Sequence, residues 1–225
     1  MIDASRMPEL RHGALSLFDL DAVVALHRRS IEAVGRNDLI KPETSDFFAR
    51  ILGGGGRITG VWLDGAFVGY GVLQFDLPPS EDARPYLGLA EEDRLAKLAG
   101  ACVLPHAWGG GIHDALIASR IDQARQAGIA HLYATAAPGN ARSWENLLAA
   151  GFGVRALVAK YGGHMRYLLH RREEPEPAQP AGDDGVWCGA EDTEGQQALL
   201  ADGRWGRAWR RRDDGGRDLC YRRQA

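Results

Sequence analysis

Residues 102–116 read CVLPHAWGGGIHDAL. A short apolar run ends at Pro105, three glycines follow at Gly109, Gly110 and Gly111, and a helical pattern opens at once. The first amide groups of a helix have no partner inside it, and the helix dipole favours an anion beside them. Glycines let a ligand approach such a backbone closely. The stretch therefore reads either as a seat for a phosphate group or as a plain tight turn.

Working outward, "LAGACVLP" (98–105) is a short apolar strand, and "GGIHDALIASRIDQARQAG" (110–128) is an amphipathic helix. Ile112, Leu116, Ile121 and Ala124 mark its inward side, and Gly128 stops it. "HLYATAA" (131–137) is a second strand. "NARSWENLLAAG" (140–151) is a second helix, with Asn140 as N-cap and Gly151 as its stop. "FGVRALVAKY" and "HMRYLLHRR" read as two strands joined near Gly162-Gly163. Upstream, Asp19 or Asp21 caps a helix through "AVVALHRRSIEAVG" (22–35), and Thr44 or Ser45 caps another through "DFFARIL" (46–52) that ends at Gly53 to Gly56. "RITGVWLDGAFVGYGVLQF" (57–75) is two strands with a two-residue turn at Asp64-Gly65. The acidic, proline-bearing stretch 76–94 reads as a solvated surface loop with a short helix at most. The pattern predicts a mixed α/β fold, a central mixed sheet with helices on both faces.

Three phosphate-binding patterns bear on the glycine turn. A Walker loop needs Lys and Ser or Thr after its last glycine, and neither stands here. The dinucleotide fingerprint fits at Gly109 and Gly111 and fails at Asp114, where its third glycine belongs. The third pattern fits better. "V-L-P-H-A-W-G-G-G-I-H-D-A-L", Val103 to Leu116, resembles motif A of the GCN5-related N-acetyltransferases (GNAT), V-x-P-x-x-R-G-x-G-I-G-x-x-L. The following strand, and a helix that begins at Asn140 and ends in Gly151-Phe152, match the family's order, as do the two early helices and the two hairpins. The likeness runs over residues 14 to 172.

The resemblance implies a GNAT-like acyl-CoA N-acyltransferase that uses acetyl-CoA as co-substrate. The strand before the glycines would splay from its neighbour, and the pantetheine arm would lie along Cys102, Val103 and Leu104. The pyrophosphate would sit on the amides of the run Trp108, Gly109, Gly110, Gly111, Ile112 and His113, with Asn140 and Ser143 facing the arm. A primary amine, on a small molecule or a peptide, would enter between the early helices and the acidic loop. A main-chain amide near Val103 or Leu104 would face the tetrahedral oxyanion formed on attack.

The sequence departs from the family at several points. Trp108 replaces the basic residue before the glycines, and either packs or stacks on the ligand. His113 replaces a small residue, and either packs or donates to phosphate. Leu147 stands where many members carry a tyrosine that protonates the leaving thiolate. The strand before Pro105 carries no glutamate to act as base, so the catalytic residues are left open among His106, Tyr161, His164, Glu81, Asp82, Glu91 and Glu92. Those departures keep alive a second function, a non-catalytic acyl-CoA sensor or partner module.

Residues 173–185, EEPEPAQPAGDDG, hold three prolines and five acidic residues and read as a linker. They divide an acyltransferase domain, 1–172, from a small strand–helix–hairpin extension, 186–225. A module of ~40 residues is near the lower limit for folding alone, so it docks on the main domain or on a second subunit, which is compatible with a homodimer. Its arginines and tryptophans interleave, as in some nucleic-acid binders, yet Asp213, Asp214 and Asp218 interrupt them. A net charge of −3 on 225 residues also argues against a general nucleic-acid binder. Three widely spaced cysteines give no disulfide framework and no metal knuckle, and Cys102 reads as a buried hydrophobe. No stretch reaches the ~18 apolar residues of a membrane span, and the N-terminus has no apolar signal core, so a cytoplasmic enzyme without a metal is the expectation.

Overall fold

The computed structural model describes residues 9–36, 38–173 and 185–223. Their strands are β1 (Leu10–Ala14), β2 (Gly56–Leu63), β3 (Ala66–Gln74), β4 (Leu95–Val103), β5 (His131–Ala136), β6 (Gly153–Lys160), β7 (His164–Arg172), β8 (Val186–Gly189), β9 (Arg204–Arg211) and β10 (Arg217–Arg223). They form one sheet in the order β1-β2-β3-β4-β5-β7-β6-β9-β10-β8. Among the paired strands described only β4 and β5 run parallel, and α4 makes the crossover that a parallel pair requires. The helices are α1 (Leu20–Val34), α2 (Ser45–Arg50), α3 (Arg84–Leu87), α4 (Ile112–Gln126), α5 (Ala141–Ala149) and α6 (Thr193–Ala201). None is long and apolar enough to cross a membrane.

Two local devices set the frame. Thr44 accepts the Phe47 amide and starts α2, and Asp64 and Gly65 both take positive φ, 49° and 80°, to turn β2 into β3. Alternation along the strands then serves both faces. Val23 and Leu26 of α1 and Phe48 of α2 pack on Ile58, Tyr70, Val72 and Cys102. On the other face Ile112 and Leu116 of α4 meet Val61 and Val68, while Ile117, Trp144, Leu147 and Leu148 fill the layer under α4 and α5. Ile121, expected to point inward, is only partly buried; Ile117 and the stem of Arg120 take the central places instead.

Three expectations need correction. No strand signal precedes the first helix, yet Leu10–Ala14 pairs with β2. Its residues are almost all exposed, so pairing with the β2 edge, and not apolar alternation, holds it. Asn140 occupies the cap position of α5 at φ −97° and ψ 68°, but its side chain makes no cap bond. The stretch 76–94 is not simply solvated: Glu81 is 8% exposed, and Ala83 and Leu87 pack against Leu95, Tyr133 and Leu168.

Most of the stretch read as a linker, residues 174–184, lies outside the described residues. Beyond it β8, β9 and β10 continue the same sheet through the pairing of Val154 with Gly206. Gln196 of α6, fully buried, ties them down: its Oε1 accepts from the hydroxyls of Tyr167 and Tyr221, both at 2.7 Å. Several arginines of this region face acids of the same chain. Arg210 and Arg212 bind Asp218, Arg223 binds Asp202, and Arg217 reaches Glu145 of α5.

Candidate active site

The site begins where β4 leaves β5. The two pair only from Leu95 to Leu98, opposite His131 to Ala134. Just beyond, the register of β4 against β3 slips between Gly71 and Leu73, a bulge that bends β4 away. The Leu104 amide donates to the Val68 carbonyl at 2.8 Å. Antiparallel alternation then turns the main chain of Cys102 towards β3 as well, and leaves Ala101 and Val103 facing the open edge. The indole of Trp108 confirms this parity, since its Nε1 donates to the Val103 carbonyl from that edge at 2.6 Å. Leu104 is therefore no free donor, and is buried among α1 and α2.

A cavity of about 500 Å³ fills the gap between this edge, the glycine turn and α5. Of the residues singled out in the sequence, Cys102, Val103, Trp108, Gly109, Gly111, Ile112, His113, Asn140 and Ser143 line it; Leu104 and Gly110 do not. The Trp108 amide is taken by the Pro105 carbonyl, so the row of available amides starts one residue later than expected. The amides of Gly109 to Asp114 donate to no main-chain carbonyl among the described residues. Gly109 and Gly111 have φ of 84° and 71°, and a Cβ on either would meet nothing within 4 Å. The turn thus needs glycine for its backbone and leaves open space above it. Burial first, then Arg120 and Arg142, lowers the His113 pKa to about 4, so the ring is neutral. Its Nδ1 lies 3.0 Å from the amide nitrogen of Asn146 on α5.

A second, deeper cavity of about 120 Å³ continues from the first and shares Leu39, Ile40, Ala101, Cys102 and Asn140 with it. Its floor is ionic. Glu81 binds Lys97 at 2.6 Å and Lys41 at 3.1 Å, and accepts from the Tyr161 hydroxyl at 3.2 Å. Burial alone would raise the Glu81 pKa, but the two lysines outweigh it and the net shift is downward. Glu43 differs. Burial raises its pKa against the pull of Lys41, 3.1 Å away. Beside it, His27 Nε2 accepts the Glu43 amide at 2.8 Å, which places the ring proton on Nδ1. Nδ1 then donates to the Tyr70 oxygen at 2.7 Å, leaving the Tyr70 proton for the Cys102 sulfur at 3.5 Å. Burial holds His27 neutral, at about 4.

The other candidates separate cleanly. Tyr161 lines the deep cavity, whereas His106 and His164 are exposed and line neither of the two cavities. Asp82 pairs with Arg84, and Glu91 and Glu92 border a separate depression. Leu147 is 5% exposed and brings no hydroxyl. The sequence reading missed Glu43, Lys41, Arg142 and Arg166. Each comes from a loop, an exposed helix position or a hairpin whose neighbours are distant in sequence, so no local spacing marks them. Arg142 lines the outer cavity and supplies there the positive charge that Trp108 lacks.

The family model for the Acetyltransferase (GNAT) family matches residues 22–152. No curated protein matches the chain significantly by sequence. Among solved structures, yncA of Salmonella typhimurium, determined with its cofactor acetyl-CoA, is 18% identical with a TM-score of 0.55, over 77% of this chain and 99% of its own. The ribosomal-protein-S18-alanine N-acetyltransferase of Escherichia coli is 16% identical at 0.54, over 77% and 100%. FeeM, an N-acyl amino acid synthase from uncultured soil microbes, is 17% identical at 0.59, over 74% and 92%. With more than half its length matched, and with the splayed strand and glycine turn in place, this chain belongs to the GNAT acetyltransferase family.

Proposed function

We propose that the protein transfers an acetyl group from acetyl-CoA to a primary amine held in the deep cavity. One observation carries this reading: the open edge of β4 and the vacant amides of the glycine turn border one cavity, which continues into a second that holds a basic carboxylate. The amides of Gly109 to Asp114 and the guanidinium of Arg142 would receive the phosphates. Ala101 and Val103 would pair with the pantetheine arm, and the Trp108 indole would give up the Val103 carbonyl to it. The Val103 amide is the donor for the oxygen on which negative charge develops, because that of Leu104 is occupied.

Glu43 serves as the general base. An ammonium has no lone pair with which to attack, and a carboxylate raised by burial removes its proton more readily than one lowered by two lysines. The amine adds to the thioester carbon and forms the C–N bond while the carbonyl pair moves onto oxygen; as that pair returns the C–S bond breaks, and the surplus proton on nitrogen leaves with the sulfur. Most of the acceleration comes from holding the two reactants together.

Continuous assay of thiol release from acetyl-CoA with a panel of amines tests the reading. Turnover with at least one amine is expected, and Glu43→Gln should lower kcat by about 100-fold or more, with acetyl-CoA affinity kept. Calorimetric binding of acetyl-CoA without thiol release from any amine would replace the enzyme by an acyl-CoA sensor. Unchanged kcat in Glu43→Gln would remove Glu43 from the mechanism.

A further inference from the structure

Arg166 on β7 is 4% exposed and lines the deep cavity. Its Nη1 donates to the neighbouring Met165 carbonyl at 2.9 Å, and its Nη2 has no hydrogen-bond partner among the described residues. Its guanidinium carbon stands 5.6 Å from the centre of the Tyr161 ring, at the ionic floor. A buried guanidinium without an acid is costly, and the rest of the cavity does not compensate it. Lys41, Lys97, Arg120 and Arg166 border the space, against Glu43 and, behind the lysines, Glu81. His27 and His113 are neutral there. Asp38 is the remaining acid whose field reaches Arg166, but it is half-exposed and bound to Arg36 at 2.6 Å. The two carboxylates at the cavity are thus matched by the two lysines, and the guanidiniums are left over. Arg120 is held by the carbonyls of Leu116, Val72 and Ala99, whereas Arg166 carries a buried donor, Nη2, with no acceptor among the described residues.

We propose that the acceptor is an amino carboxylate, whose carboxylate is received by Arg166 while its amine faces Glu43. This rests on the acyl-transfer reading and deepens it. A polyamine or other polycation would enter against the surplus positive charge, and a monoamine without a carboxylate would leave Nη2 unsatisfied. Arg166 acts here on binding and orientation, and a guanidinium, with its planar fork of donors, suits a carboxylate better than an ammonium does.

The test compares amino acids with their decarboxylated counterparts: alanine with ethylamine, phenylalanine with 2-phenylethylamine, glutamate with 4-aminobutyrate as a carboxylate-retaining control. Thiol release should favour the best amino acid over its own amine by about 30-fold or more in kcat/KM. Arg166→Gln should erase that preference, mainly through a raised KM for the amino acid, with no comparable loss for its decarboxylated amine. Arg166→Lys should keep part of it, and serves if the glutamine variant does not fold. Equal or better turnover of the decarboxylated amines by the unmodified protein would overturn the inference and leave acyl transfer standing; so would an equal loss for both members of a pair in Arg166→Gln. Absence of thiol release with every amine would overturn the acyl-transfer reading. Calorimetric titration of the same amino acids into the CoA-saturated protein then decides the inference: binding that Arg166→Gln abolishes sustains it, and no binding ends it.

Discussion

Gly111→Ala separates a turn that merely needs glycine from a turn built to hold an anion. At φ 71° a residue with a Cβ pays for a left-handed backbone, about 1–2 kcal/mol. For a chain of this size that lowers the midpoint of thermal unfolding by about 2–8 °C. No clash adds to it, since the new methyl meets nothing within 4 Å. The methyl does enter the outer cavity beside the amides of Ile112 and His113. If a diphosphate lies there, at least two charge-assisted bonds are lost, each worth about 1.5–3 kcal/mol, so affinity for CoA should fall by about 100-fold or more. Gly65→Ala is the matched control. Gly65 sits at φ 80°, also with open space, at the far hairpin, so it should cost similar stability and leave affinity untouched. Calorimetric titration of CoA into the three proteins, with melting curves alongside, reads both quantities. Unchanged CoA affinity in Gly111→Ala, at the predicted loss of stability, would refute the assignment of the turn as the phosphate seat.

Two further outcomes follow from the buried polar groups. Gln196→Leu orphans the Tyr221 hydroxyl, leaves that of Tyr167 only its long bond to the Ala190 carbonyl at 3.5 Å, and should cost about 1–4 kcal/mol in chemical denaturation, most of it recovered when both tyrosines become phenylalanine; a leucine variant as stable as the parent would contradict the bridge. Burial lowers His27 and His113 from 6.5 to about 4, His113 with help from Arg120 and Arg142. The unfolded chain takes up these protons below about 6.5 and the folded chain refuses them until about 4, so stability should decline as pH falls through that window. Urea midpoints that stay level between pH 6.5 and 4 would show the rings to be accessible.

The half of the site proposed for the cofactor was legible because it is made of consecutive residues. A strand, a proline, a glycine turn and a helix start follow one another within Cys102–Ile112, and the amides that matter belong to the main chain. The acceptor half was not. Glu43 precedes a helix cap, Arg166 lies in a strand of mixed composition, and Lys97 falls inside an apolar run. What makes them a site is that β4 bends away from β5 and opens a space between the α1–α2 connection and the β6–β7 hairpin.

By itself, then, the sequence determined the order of strands and helices from the first helix onward, the turns at Asp64-Gly65 and Gly109–Gly111, and the place of a helix start with unpartnered amides. All of these rest on residues within a few positions of one another, whose spacing sets backbone geometry directly. Only the tertiary structure decided that Leu104 is closed and Val103 open, that Glu81 is buried between two lysines, and that Arg166 lacks an acid. Register and charge pairing across a sheet depend on residues tens of positions apart, and the sign of a burial effect is set by which of those neighbours arrive.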